Sequence, residues 1–377
     1  MKRFLHVICL LIAAALLPAA LLISRGLPAD TRPYVEQKYA GWNGVLRAWV
    51  CVNWKCAGDF TRWLNVCASR FEKNHDGVYV EFTPVQAETL SHMAESGIRP
   101  PEIVLFSPGM LNDLSMLKAV DVPDVMRDDL RNIQGNAYPI AMGGYILVYN
   151  RELTRDVPGT TIAVLPDDEA HSFSAASVAL LSDVSDDAPS QDMLPDMGLD
   201  LGLPANAIVE ESGAPVTIDS DVMERFLRGE LPTVVVSQAE LARLIRLRDA
   251  GRGPDWDCAA SGTAAYTDQL LLLGVVVQSG DAAAEREALA EAFAAGLLEY
   301  EAQAKLADIG AFSVTGERIH ADFSAYAQLD ALLNSRDLIV PHNPLRTLPT
   351  CGGLLRAIAD GSIDPASALA QLRSEVQ

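Results

Sequence analysis

Residues 138–153 read YPIAMGGYILVYNREL, and this stretch decides the fold. Tyr138-Pro139 forces an extended entry, because a proline disfavours the α region for the residue before it. Gly143-Gly144 allows a close backbone approach or a bulge. Ile146, Val148 and Tyr149 read as a strand. Asn150 is placed to cap a helix starting at Arg151-Glu152-Leu153.

Upstream, strands and helices alternate. Val45–Val52 is a first strand and Val78–Phe82, with period-two alternation, a second. Between them, Asp59 caps a helix on which Phe60, Trp63, Leu64, Cys67 and Phe71 recur at helical spacing. A helix near Glu88–Ser96 leads to a short buried strand, Ile103–Phe106. Ser107-Pro108-Gly109-Met110 ends that strand, and Leu111–Leu117 begins another helix. This order predicts a parallel, doubly wound sheet, whose ligands lie beyond the carboxyl ends of the strands.

Downstream, Ile162–Leu165 reads as a strand and residues 182–215 as loops. A helix over Asp219–Arg228, capped by Asp219 or Ser220, stops at Gly229. The strand Pro232–Val236 stops at Ser237-Gln238, and Ala239–Leu247 is a short helix. The apolar run Leu270–Val277 is a buried strand, too short to span a membrane. Asp281–Asp308 is a long Ala-rich helix or helix pair, with Phe293, Leu297, Tyr300 and Leu306 on one face. Further helices follow at Phe323–Asn334 and Pro365–Val376.

The chain has 377 residues, 49% of them hydrophobic, enough for two lobes rather than one core. A net charge of -21 argues against nucleic acid and anionic lipid as partners. The acidic residues Asp167, Asp168, Asp183, Asp186 and Asp187 suit a solvated loop better than a metal cage. At the N-terminus, Lys2 and Arg3 precede an apolar run over Phe4–Ile23. That is a signal peptide or membrane anchor over 1–25, with the rest of the chain outside. A linker covers 26–43. Five cysteines follow: Cys51, Cys56, Cys67, Cys258 and Cys351. Export permits a local bridge among the first three, and buried thiols are the other reading.

The 138–153 stretch resembles the crossover strand of bacterial extracellular solute-binding proteins of the sugar-binding, family-1 type. Phe71-Glu72-Lys73 before Gly77-Val78-Tyr79-Val80 is similar to that family's opening. Phe226-Leu227-Arg228-Gly229-Glu230 and Gly310-Ala311-Phe312-Ser313-Val314 resemble two later segments. The resemblance covers most of 44–345. It implies a maltose-binding-protein-like α/β architecture, the two-lobed type II periplasmic-binding-protein fold. Each lobe would be a doubly wound sheet, joined to the other by hinge crossings. The first lobe would hold 44–140 plus 268–310, the second 141–267 plus 311–377. Two departures stand out: Pro232-Thr233 replaces a small-Met pair, and no Trp follows the strand at Ser237-Gln238.

A closing two-lobed binder needs polar groups at strand ends and a few aromatic plates. The candidates are Trp54, after the first strand, and Ser107 and Gly109, at a helix start that favours anions. Gly144 and Tyr145 lie on the crossover; Ser237 and Gln238 end a strand; Trp256 and Tyr266 flank the return; Phe312 sits at the third crossing. Each has a plain packing or capping role beside the binding one. The scattered histidines lack the spacing of a metal site, and no nucleophile, P-loop or dinucleotide motif is present, so no catalytic residue, cofactor or metal is assigned.

The resulting expectation is an extracytoplasmic, monomeric and non-catalytic protein. It captures a small solute, of carbohydrate class, and passes it to separate ABC permease subunits. The alternative is a membrane-anchored sensor or scaffold that keeps the fold without transport; a secreted hydrolase ranks last.

Overall fold

A computed structural model describes residues 41–93, 99–111, 113–119, 124–131, 136–153, 222–231, 233–259, 264–320, 324–335 and 337–340, with isolated positions at 357, 362–363, 367 and 371. The targeting segment, the linker, the 162–165 strand, the 182–215 loops, the caps at Asp219 and Ser220, Cys351 and all but isolated positions of the 365–376 helix lie outside these residues.

The first lobe is built on a five-stranded sheet in the order β2-β1-β3-β9-β4. Its strands are β1 (Gly44–Cys51), β2 (Val78–Pro84), β3 (Ile103–Phe106), β4 (Tyr138–Met142) and β9 (Leu270–Val275). β1 runs parallel to β2 and β3. β9 is antiparallel to both β3 and β4, because it enters from the other lobe. Its sequence shows no alternation because both faces are covered: every residue of LLLLGV is buried.

Helix α1 (Phe60–Asn74) packs on this sheet. Asp59 caps it, its side chain accepting from the Thr61 N–H at 2.8 Å. Phe60, Trp63, Leu64, Cys67, Ala68 and Phe71 form its buried stripe. Phe71 meets Phe293 of α5 (Ala283–Leu297) edge to face at 5.4 Å. The helix α2 (Ala87–Ser91) is short.

The second lobe has a three-stranded antiparallel sheet, β6 (Thr233–Ser237), β5 (Tyr145–Asn150) and β7 (Trp256–Ala259), in the order β6-β5-β7. A parallel pair, β8 (Ala264–Tyr266) and β10 (Asp337–Ile339), lies apart from it. Helices α3 (Val222–Leu227), α4 (Gln238–Asp249) and α7 (Ser324–Ser335) complete the lobe.

Three expectations are corrected, and of the two readings of the cysteines the described ones follow that of free thiols. Leu111–Leu117 forms no helix among its described residues. Asp113 Oδ1 accepts from the Ser115 N–H, and Leu117 bridges to Val276 beside β9, so strand pairing wins over helical periodicity. Asn150 accepts from the Glu152 N–H at 2.9 Å, but residues 151–153 are a turn. Tyr300 is 64% exposed, because α5 ends at Leu297 and α6 (Tyr300–Ala304) starts on a new axis. Cys51, Cys56, Cys67 and Cys258 are all free thiols. Burial pushes Cys56 up to about 11 and Cys67 and Cys258 up to about 12, which leaves them protonated and unreactive at neutral pH.

His320 gives the fold a pH response. It is 3% exposed, and its ring stacks on Tyr326 at 4.9 Å. Nε2 lies 2.7 Å from the Ala311 carbonyl, which only accepts, so Nε2 carries the proton. Burial holds its pKa below the ordinary 6.5, outweighing the Ala311 carbonyl and the Asp330 carboxylate. The unfolded chain therefore binds a proton more readily than the folded one. Stability from this group is complete above about pH 6.5 and is lost as pH falls toward the folded-state value. His320→Gln is expected to flatten the curve of unfolding free energy against pH between about pH 7 and 5. An unchanged slope would remove His320 from that response.

Candidate functional site

The two lobes meet where β4 passes into β5, where β8 passes into β9, and where residues 311–313 return. These crossings lie side by side. The Gly143 N–H donates to the Gln269 carbonyl at 2.7 Å, and the Thr267 hydroxyl donates to the Gly143 carbonyl at 3.0 Å. Met142 and Phe312 exchange two backbone bonds of 3.1 and 2.8 Å. The carboxyl ends of β1 and β3 point to the same place, as a wound sheet requires.

Gln238 is the centre of the junction. It is fully buried as the first residue of α4. Its Oε1 accepts from the Gly144 N–H at 3.0 Å, and its Nε2 donates to the Lys55 carbonyl at 2.9 Å. The second bond ties the second lobe to the loop after β1. Its backbone N–H donates to the Gly144 carbonyl, and its own carbonyl accepts from the Tyr326 hydroxyl at 2.8 Å. Glycine is required beside it: a Cβ on Gly143 would lie 2.5 Å from Gln238 Nε2 and 2.3 Å from Gln269 Oε1. One on Gly144 would meet the methyls of Leu333 at 2.9 Å.

The other sequence candidates are distributed around this centre. Ser107 is fully buried, and its Oγ accepts from the Asn53 N–H at 3.1 Å, fixing the loop that carries Trp54 and Lys55. Gly109 has φ 82°, a left-handed turn, with no helix start among the described residues behind it, so the expected anion site at a helix N-terminus is absent there. Ser237 caps α4 in a reciprocal box with Glu240. Tyr145 donates its hydroxyl to Asp268 at 2.7 Å, and burial raises the pKa of that carboxyl.

The aromatic plates are covered. Trp54 is 8% exposed, donates its indole N–H to the Leu270 carbonyl at 3.0 Å and meets Phe60 edge to face. Trp256 is buried under the guanidinium of Arg248, 4.6 Å from the ring centroid. Phe312 is fully buried against His320. Tyr266 pairs by its backbone with Ile339, and its side chain lies outside the described residues.

The structure thus brings Gly144 and Gln238 together and adds Lys55, Thr267, Gln269 and Tyr326, which the sequence reading did not single out. Thr267-Asp268-Gln269 carried a signal, a polar triplet between two apolar runs. Lys55 and Tyr326 carried none. Two cavities of the first lobe lie elsewhere. One, of about 280 Å³, sits between α1 and α5 over Phe71 and Phe293. The other, of about 690 Å³, lies at the amino end of β3 by Arg99 and Gln278, opposite the junction. Among the described residues no group of three or more His, Cys, Asp or Glu converges on a metal-sized site.

No family model matches this sequence. No curated protein matches it either. Solved structures do resemble it. The GacH receptor of Streptomyces glaucescens, determined unliganded and with acarbose, aligns at a TM-score of 0.54 with 15% identity, over 89% of this chain and 99% of that one. The cyclic alpha-maltosyl-1,6-maltose binding protein of Arthrobacter globiformis aligns at 0.57 with 13% identity, over 89% and 98%. The sugar-binding protein MalE of Xanthomonas citri aligns at 0.57 with 15% identity, over 88% and 96%. The chain therefore has the two-lobed α/β fold of the maltose-binding type of periplasmic solute-binding protein.

Proposed function

We propose that this protein is a non-catalytic, extracytoplasmic receptor that closes its lobes on a small carbohydrate for an ABC importer. The lobes we assign, 44–140 with 268–310 and 141–267 with 311–377, exchange chain at the crossings around Gly143, Gln269 and Phe312. The observation that carries the reading is this junction: three adjacent crossings, with Gln238 bridging from one lobe to the Lys55 carbonyl of the other. A ligand that binds both lobes at such a seam can shift an open–closed equilibrium. Neighbours with this fold bind acarbose, cyclic alpha-maltosyl-1,6-maltose and maltotetraose, which supports a sugar as cargo. Residues 1–25 would carry the chain across the membrane or anchor it there, and the permease would be a separate chain.

One observation favours the second reading, an anchored sensor or scaffold. Trp54, Tyr145, Trp256 and Phe312 are all buried, which leaves the described junction without an aromatic plate. A thermal-shift panel separates the two. It would contain maltodextrins, acarbose, other oligosaccharides, amino acids, peptides and polyamines. A ligand at 100 times its Kd adds about 2.7 kcal/mol to stability. A saturable rise in Tm with sugars alone is the expected result. A flat panel would transfer the protein to the sensor or scaffold reading.

A further inference from the structure

We propose that the cavity of about 690 Å³ in the first lobe, opposite the lobe junction, binds a small organic carboxylate. The anion lies between Arg99 and Arg286, and its apolar body lies against Met93, Met116 and Val276. This site is separate from the cleft between the lobes and does not depend on what the cleft carries.

Arg286, in the first turn of α5, lines the cavity although it is only 3% exposed. Its two terminal nitrogens are engaged by Glu102, Gln278 and the Ser279 carbonyl, but its Nε–H has no acceptor. A buried donor without an acceptor is rare in native proteins and calls for a physical reason. Arg99 lines the same cavity with a side chain 59% exposed. Among the described residues its guanidinium makes one bond, to Glu102 at 3.3 Å, so most of its fork is free for a ligand.

The start of α5 adds a third attraction for an anion. The helix begins after Ala282, at φ 57°, and no side chain caps its first N–H groups. A 15-residue helix with a bare N-terminus favours negative charge there. Ser279 and Asp281, just before that start, and Arg286, just after it, all line the cavity. The local charge also runs against that of the whole chain. The chain carries -21, yet two arginines face one aspartate in this wall. Glu102, behind the arginines, has Arg47 as a further partner at 3.5 Å.

The rest of the wall decides the class of anion. Met93 and Val276 are buried and apolar, and Met116 and Val277 continue that surface. The volume falls within the roughly 300–1,000 Å³ of small-molecule pockets. Inorganic phosphate would leave the apolar surface uncovered, and an amine would meet two like charges. A carboxylate on an alkyl or aryl body suits both halves, because the guanidinium fork matches a carboxylate.

The test titrates the purified full chain with hexanoate, hexanol and inorganic phosphate, read by calorimetry and by NMR of the Met93 and Met116 methyl groups. Hexanoate is expected to bind saturably and to shift both methyls, with hexanol and phosphate about ten-fold weaker or more. Arg99→Gln leaves Arg47 and Arg286 on Glu102 and is expected to raise the hexanoate Kd about three-fold. Asp281→Asn removes the like charge and is expected to lower it about two-fold. Arg286→Lys keeps the charge, loses the fork and is expected to raise Kd about ten-fold. Should that buried change prevent folding, the opposite shifts of the two exposed variants still decide. Methyls that ignore hexanoate, or a Kd that neither Arg99→Gln nor Asp281→Asn moves, would overturn the proposal. Hexanol binding as tightly as hexanoate would remove the cations' role, and phosphate binding as tightly would remove the apolar body's; either result overturns it as well.

Discussion

Glu102→Gln is expected to lower the stability of the first lobe by about 3–5 kcal/mol, seen as a fall in Tm of roughly 6–20 °C. Glu102 has no exposed surface, and Arg286, on α5, is 3% exposed. The Arg286 Nη1 lies 3.0 Å from Glu102 Oε1. The other bonds of this guanidinium go to neutral groups, Gln278 Oε1 at 3.0 Å and the Ser279 carbonyl at 2.9 Å. Losing the carboxylate therefore leaves a buried cation whose remaining hydrogen bonds all go to neutral groups. The reverse change is milder. Arg286→Met leaves Glu102 with the Arg47 N–H at 2.8 Å, the Arg47 side chain at 3.5 Å and Arg99 at 3.3 Å. Both of those arginines reach solvent, so the carboxylate keeps partial compensation. Urea unfolding of the two variants should rank Glu102→Gln as the more damaging. Equal losses would mean that Arg47 and Arg99 contribute nothing to holding this charge.

Glu102 illustrates what local pattern can and cannot convey. The alternation of β1 and β2, the helical stripe of α1 and the unbroken apolar run of β9 are each written in the residues of one segment, whatever remote element covers them, and are readable as a period or a run. The cap at Asp59 and the C-terminal Gly229, at φ 73°, are equally local. Helical spacing misled at Leu111–Leu117, where the backbone at Val276 and Val277, just past β9, offered partners that a period cannot reveal. It misled again at Tyr300, where a two-residue break reset the phase of the helix. The junction was readable in part. Gly143-Gly144 and Ser237-Gln238 stand out as breaks in strand patterns, and Gln238 proved central. Its partner Lys55 is 183 residues away, and nothing in either segment announces the pairing. The tryptophans show the complementary error. Composition marks Trp54 and Trp256 as plates, but whether a ring faces a cleft or a core depends on how other elements pack on it, β9 for Trp54 and α4 for Trp256.

Gly143→Ala and Gln238→Ala are each expected to destabilise the lobe junction by about 2–4 kcal/mol, and their effects should not add. Gln238→Ala removes two bonds. It strands the buried Gly144 N–H, and it frees the Lys55 carbonyl from the second lobe. An orphaned buried group costs about 1–3 kcal/mol, and the lost interlobe bond adds about 1 kcal/mol. Gly143→Ala reaches the same bonds by another route. Its Cβ would lie 2.8 Å from Gln238 Cδ, closer than carbon atoms pack, and 2.3 Å from Gln269 Oε1. A free side chain would swing aside at little cost. The Gln238 amide cannot, because its two ends are fastened to different lobes. Either the amide moves and both bonds break, or the crossing strand shifts away from Gln269. In the double variant the shortened side chain at position 238 makes room for the methyl added at position 143, so most of the damage of the second change is already done. Unfolding of the two single variants and the double variant should give a coupling energy of at least about 1 kcal/mol. Small-angle scattering should show a larger radius of gyration for Gln238→Ala than for wild type, as the lobes part. Strict additivity, with no change in radius, would mean that the Gln238–Lys55 bond does not hold the lobes together.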